Sequence, residues 1–214
     1  MAVYDLEEQE QISELKAWWA RYGKLVTALA VAAAVASVAW QGWRWYQNRQ
    51  AAEAGGLYFA VQQAVTQQDA QKARELTGRL IDQFGGTVYA QLGALVSAGL
   101  QFSKGDLDNA RAPLEWAAGQ GKDESLRDLA RLRLAAVLLQ QGAHDQALAQ
   151  LQREPGKAYR ARFADLRGDA LAAQGKAADA RAAYQAAITA LEAEGDEAAM
   201  LREVVRVKLE SLEA

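Results

Sequence analysis

The sequence predicts an all-α protein in which one membrane-crossing helix near the N-terminus precedes a stack of paired helices closed by a terminal capping helix. Three observations predict it. The 214 residues are 51% hydrophobic, mostly Ala and Leu, with only two prolines, a balance that suits helices better than sheets. Nineteen uncharged residues run between Lys24 and Arg44. A short turn signature then recurs four times in the rest of the chain.

The uncharged run, LVTALAVAAAVASVAWQGW, would rise about 29 Å as a helix, close to the hydrocarbon thickness of a bilayer. Five of the six tryptophans flank it, Trp18 and Trp19 before and Trp40, Trp43 and Trp45 at its end, with Tyr22 and Tyr46 beside them. Indole and phenol rings favour the headgroup level, so the pattern reads as an aromatic belt at both interfaces. A soluble Ala-rich core helix, which would not need such a belt, and a cleaved signal peptide are the alternatives, the latter because Ser37-Val38-Ala39 has suitable small residues. Its n-region should be short and basic, whereas residues 1–24 carry five acids against three bases, so the segment reads as retained. Lys16, Arg21 and Lys24 before the run against Arg44 and Arg49 after it favour a cytoplasmic N-terminus. These readings divide the chain into a cytoplasmic tail (1–24), a transmembrane helix (25–43), a juxtamembrane helix (44–66) and a repeat domain (67–214). Ala28, Ala32 and Ala36 lie four apart on one stripe of the span, where small side chains would let a partner helix approach; alanine as filler is the alternative.

The recurring signature is QDAQKA, GDLDNA, GAHDQA and GKAADA, ending at Ala73, Ala110, Ala147 and Ala180 with spacings of 37, 37 and 33 residues. A period near 34 points to a tetratricopeptide-repeat-like α-solenoid. Copies three and four fit best: Gly168, Leu171, Gly175, Ala180, Tyr184 and Ala187 in the last, and Leu134, Ala135, Leu138, Gly142, Ala147 and Leu151 in the one before it. The first copy has Gln68 where the turn glycine is expected. Apolar spacing predicts a continuous helix through the span to Thr66, then helices over 70–84, 88–103, 107–119, 124–141, 144–153, 157–174, 177–194 and 196–213, with breaks at Gly55-Gly56 and Gly85-Gly86. The last segment sets Leu201, Val204, Val205, Lys208, Leu209 and Leu212 on its inward face.

Several function classes find no support. Net charge is -3, and once the groups ahead of the span are set aside 21 bases face 22 acids, so nucleic acid is not an expected partner. The chain has no Cys and one His, His144, in a repeat turn, and no phosphate-binding loop or zinc-protease motif, so neither catalysis, a metal nor a cofactor is expected. Asp165 and Asp169 share a helix face and could hold a proton or a cation between them, too few oxygens for a dedicated metal site. The first helices of the repeats carry Leu92, Leu95, Phe102, Leu129, Leu132 and Leu139, which would line an apolar concave surface. That surface is packing core, is covered by the chain's own C-terminal helix, or is a groove for an amphipathic or unfolded segment.

The acidic tail YDLEEQEQISELKAWWARYGK, the span exit WQGWRWYQNRQ, the GDLDNA turn and the terminal VVRVKLESLEA together resemble the YfgM family, described as the ancillary subunit of the bacterial SecYEG translocon. The resemblance covers essentially the whole length. It implies a single-pass inner-membrane protein whose repeat domain faces the periplasm, works beside the translocon and the membrane chaperone PpiD, and passes unfolded periplasmic clients to chaperones. It brings no catalytic motif. A repeat scaffold for a different envelope complex is the alternative. The full chain is expected to stay with membrane vesicles through an alkaline carbonate wash; release into the supernatant would remove the span.

Overall fold

A computed structural model describes residues 3–212, so the first two residues of the predicted tail and residue 213 of the predicted capping segment lie outside them. The chain forms two compact units that divide between Arg49 and Gln50. The described residues of the first unit lie within helix α1 (Val3–Thr66). From Leu25 to Trp45 its side chains are exposed with the exception of half-buried Val26, and Leu25, Leu29, Val35, Val38, Trp40 and Trp43 are its exposed large apolar groups. Apolar groups left uncovered all round a helix favour hydrocarbon over water. Trp18 lies against Tyr22 with ring centroids 5.7 Å apart, and the 25 residues from Trp18 to Trp43 rise about 38 Å, near the headgroup-to-headgroup thickness of a bilayer.

The second unit begins with the last part of α1 and continues with α2 (Ala70–Phe84), α3 (Val88–Ser103), α4 (Leu107–Gln120), α5 (Glu124–Gln140), α6 (His144–Gln150), α7 (Arg160–Ala173), α8 (Ala177–Glu192) and α9 (Ala199–Ser211). Short 3-10 turns at Lys157–Tyr159 and Asp196–Ala198 lead into α7 and α9. No strand occurs among the described residues. α3 packs with α4, α5 with α6 and α7 with α8, the end of α1 meets α2 in a small cluster that holds Ala64 and Ala73, and α9 closes the row against α8.

One turn builds all four pairs. Gly105, Gly142 and Gly175 adopt left-handed φ of 76°, 74° and 74°, and the next residue's N–H reaches back five positions: Asp106 to the Gln101 carbonyl, Ala143 to Leu138, Lys176 to Leu171. This pattern satisfies the helix's last carbonyls while reversing the chain. In the first pair Gln68 takes the same conformation, φ 58°, and the Asp69 N–H bonds to the Ala64 carbonyl at 2.9 Å. The substitution seen in the sequence therefore changed the residue and left the turn. Asp69, Thr87, Asp106 and Asp123 cap the following helices, each accepting from the N–H three residues on, a contribution of about 1 kcal/mol apiece. Ala73, Ala110, Ala147 and Ala180, one from each copy, are all fully buried where paired helices cross. The largest core cluster gathers Leu95, Leu114, Leu134, Leu138, Leu151 and Phe163 from α3 to α7; a second joins Tyr184, Ile188, Leu191 and Val205 at the C-terminal end.

Four expectations need correction. The helix passes Gly55 and Gly56 without a break, because Gly55 seats against the Tyr89 ring, 3.5 Å from where a Cβ would stand. Helix α6 ends at Gln150 instead of 153: Leu151 turns inward to full burial, and the Asp128 carboxylate accepts the Gly156 N–H at 2.9 Å, drawing the Pro155 segment into a non-helical path. The starts of 157–174 and 196–213 are 3-10 turns, so α-helix begins at Arg160 and Ala199. Val204, expected inward, is exposed, and Val205 takes the buried place.

The turns yield a paired test. Gly142→Ala is expected to cost about 1 to 2 kcal/mol by forcing a Cβ into the left-handed region, whereas Gln68→Gly is neutral or stabilising. Thermal melts of both variants check this; equal losses would show that the turn is not the constraint.

Candidate partner-binding surfaces

The faces open to a partner are set by buried polar groups that register one helix pair on the next. The Gln91 side chain, fully buried on α3, donates to the carbonyls of Ala117 (3.3 Å) and Asp123 (3.0 Å) and accepts the Asp123 N–H at 2.9 Å, pinning the α4–α5 connection. Gln101 donates to the Ala70 carbonyl at 2.7 Å, tying α3 to the start of α2. Asp128 pairs with Arg131 at 2.9 Å, and Arg131 reaches the Ala118 carbonyl at 3.1 Å. A buried amide left unpaired would cost about 1 to 3 kcal/mol, so each bond penalises a slipped register. Sequence reading missed Gln91 and Gln101; the available signal was two glutamines ten apart on a mostly apolar α3.

The six apolar residues expected on the concave surface separate by depth. Leu95 is 2% exposed and belongs to the core. Leu129, Leu132 and Leu139 are half-buried against that core, and Leu92 is half-buried on α3. Phe102 is 39% exposed. Beside it a cleft of about 140 Å³ opens between α3 and α5, lined by buried Ala98, Leu114 and Val137, by half-buried Ala136 and by exposed Gly99 and Arg133.

The carboxylate pair Asp165 and Asp169 holds a cation, and the cation is a side chain. The Lys208 ammonium of α9 donates to both at 2.8 Å, Tyr184 of α8 donates its hydroxyl to Asp169 at 2.8 Å, and the ammonium sits 5.9 Å from the Tyr184 ring centroid. Gly168 makes room for that ring: a Cβ there would stand 2.4 Å from it. Lys208 thus occupies an inward position in an apolar pattern because its charge is consumed inside. Burial lifts the Asp165 carboxyl above its usual value, outweighing the pull of Lys208. At Lys208 burial acts downward, but hydrogen bonds to two carboxylates prevail and the ammonium titrates above its usual value. Burial, with the bond to Asp169, pushes the Tyr184 hydroxyl up strongly. His144 begins α6 half-buried, and no group of three or more His, Asp or Glu residues placed to hold a metal occurs among the described residues.

Residues 16–214 match the family model of a tetratricopeptide repeat-like domain. The chain is 32% identical over 215 residues to the ancillary SecYEG translocon subunit of Escherichia coli, covering 99% of each chain. It is 32% identical over 184 residues to the subunit of that name from Haemophilus influenzae, 86% of this chain and 90% of the relative, and 29% identical over 211 residues to that of Neisseria gonorrhoeae, 97% and 98%. The chain belongs to the ancillary SecYEG translocon subunit family. The resemblance read from the tail, span exit and terminal motifs is thereby shown, as is the all-α repeat architecture. In this family member α1 carries, where the predicted tail meets the predicted span, a shallow groove lined by Trp19, Ala20, Gly23, Thr27, Ala28 and Ala32, with the Thr27 hydroxyl bonded back to the Gly23 carbonyl at 2.7 Å. Ala28 and Ala32 of the predicted stripe line it; Ala36 is exposed beyond it.

The ionic closure of α9 has a pH signature. A lysine and a tyrosine whose folded values are raised stabilise the fold fully below their ordinary values of 10.5 and 10.0, and that contribution is lost as pH rises through the folded values. Melts of the full chain are expected to be flat near neutrality and to fall from about pH 10 upward, with Lys208→Met showing a shallower fall. A melting temperature constant from pH 8 to 11 would contradict the closure.

Proposed function

We propose that this protein is a membrane-anchored, non-catalytic interaction module that associates with the Sec translocon and links emerging secreted or outer-membrane chains to periplasmic chaperones. The observation that supports it most is the coexistence of an uncovered apolar helix with a closed helical-repeat domain, in a chain matched end to end by relatives named as translocon subunits. The helix supplies location and the repeats supply contact surface. In this reading residues 25–43 cross the inner membrane from a cytoplasmic tail, 44–66 lead out of it, and the repeat domain works in the periplasm.

Two surfaces divide the labour. The Ala28, Ala32 and Ala36 face packs against a transmembrane helix of the translocon or of a PpiD-type chaperone, because small side chains let helix backbones come close. The apolar concave face of Leu92, Leu95, Phe102, Leu129, Leu132 and Leu139 meets unfolded clients, with Phe102 and the half-buried leucines making contact and Leu95 supporting them from the core.

Site-specific crosslinking in native inner membranes tests the reading, and the absence of Cys makes single-cysteine probes clean. Probes at Ala28 and Ala32 are expected to capture translocon subunits, and Ala32→Leu to reduce co-purification several-fold. Capture of cell-wall or division proteins instead would replace the translocon with another envelope complex.

A further inference from the structure

We propose that the cleft between α3 and α5 is a peptide subsite that takes one large apolar side chain of an extended polypeptide, with a carboxylate of the same polypeptide on Arg133. The inference rests on the client-binding reading above and names what that surface selects. Its volume, about 140 Å³, is well under the roughly 300–1,000 Å³ of small-molecule pockets and equals that of about five liquid waters, so it suits a single side chain and not a cofactor. Its lining is almost wholly apolar, and the exposed Phe102 ring stands as one wall.

Two features separate the cleft from an ordinary packing gap. Gly99 opens into it, and a Cβ on Gly99 would meet nothing within 4 Å, so the space is not held open by neighbours that need the glycine. Arg133 supplies charge at the rim. Its Nη1 donates to the Leu95 carbonyl at 3.0 Å, which fixes the guanidinium beside the opening, while the residue is exposed and has no carboxylate paired with it among the described residues. A planar cation held beside an apolar slot is complementary to an acidic residue next to an aliphatic or aromatic one.

The test uses the full chain in nanodiscs and a fluorescent nine-residue Gly/Ser peptide carrying a central Phe-Asp pair. This probe is expected to bind at least tenfold tighter than its counterpart with the Phe replaced by Gly. Replacing its Asp by Lys weakens binding several-fold, and Arg133→Gln removes that difference. Gly99→Leu fills the cleft and is expected to weaken binding at least tenfold with an unchanged or higher melting temperature. Should that variant melt lower, Phe102→Ser, at an exposed position, carries the same expectation with the fold intact. Equal binding of the Phe and Gly peptides, retention of binding in either cleft variant, or a co-purified phospholipid that occupies the cleft in place of peptide overturns the proposal. Translocon co-purification is read on the same samples: intact association with indifferent peptide binding defeats the subsite alone, whereas loss of association in the unmodified chain defeats the functional reading.

Discussion

The repeat domain depends on a turn that reverses the chain within a few residues and leaves two helices close enough to cross at alanine. The left-handed residue at 68, 105, 142 or 175 and the bond back over five positions set that geometry. Everything beyond it is stacking: once each pair is closed over Ala73, Ala110, Ala147 or Ala180, larger side chains fill the space between pairs. Gln68 shows the direction of causation. A glutamine gains nothing from a left-handed backbone, yet it adopts one, so packing of the pair around Ala73 overrides local preference at a cost of about 1 to 2 kcal/mol.

Alanine crossings bury little area each, and they leave one pair free to slide on the next. Directional bonds remove that freedom. Gln91 and Gln101 fasten connections that carry few large side chains, and Asp128 holds both Arg131 and the Gly156 backbone. At the end of the row the Lys208, Asp165, Asp169 and Tyr184 cluster does for α9 what a further repeat would otherwise do. An ion pair in this half-buried setting adds less energy than specificity: it fits one orientation of the capping helix and penalises others.

The two units handle apolar surface in opposite ways. Around Leu25 to Trp43 it faces outward and needs lipid or another helix to cover it; in the repeats it turns inward, except at small openings such as the one beside Phe102. A protein built this way acts through what covers those surfaces. That is consistent with membership in a family whose members are named ancillary SecYEG translocon subunits.

Much of this is legible in the amino-acid sequence. Helix periodicity placed α2 and α3 at their observed limits, and the signature spacing located the four buried alanines, because both follow from short-range repetition. The span was legible because lipid solvation depends on composition and length. What the chain could not disclose involves residues far apart in sequence: Tyr89 supporting an unbroken helix at Gly55, Asp128 ending α6 through Gly156, Lys208 answering two carboxylates some forty positions earlier, and the separation of Leu95 from Phe102 by depth. Local order is written in periodicity, since each residue's preference adds to its neighbours'. The choice of which polar groups meet, and which apolar ones stay uncovered, belongs to tertiary structure, because only the packed chain sets those distances.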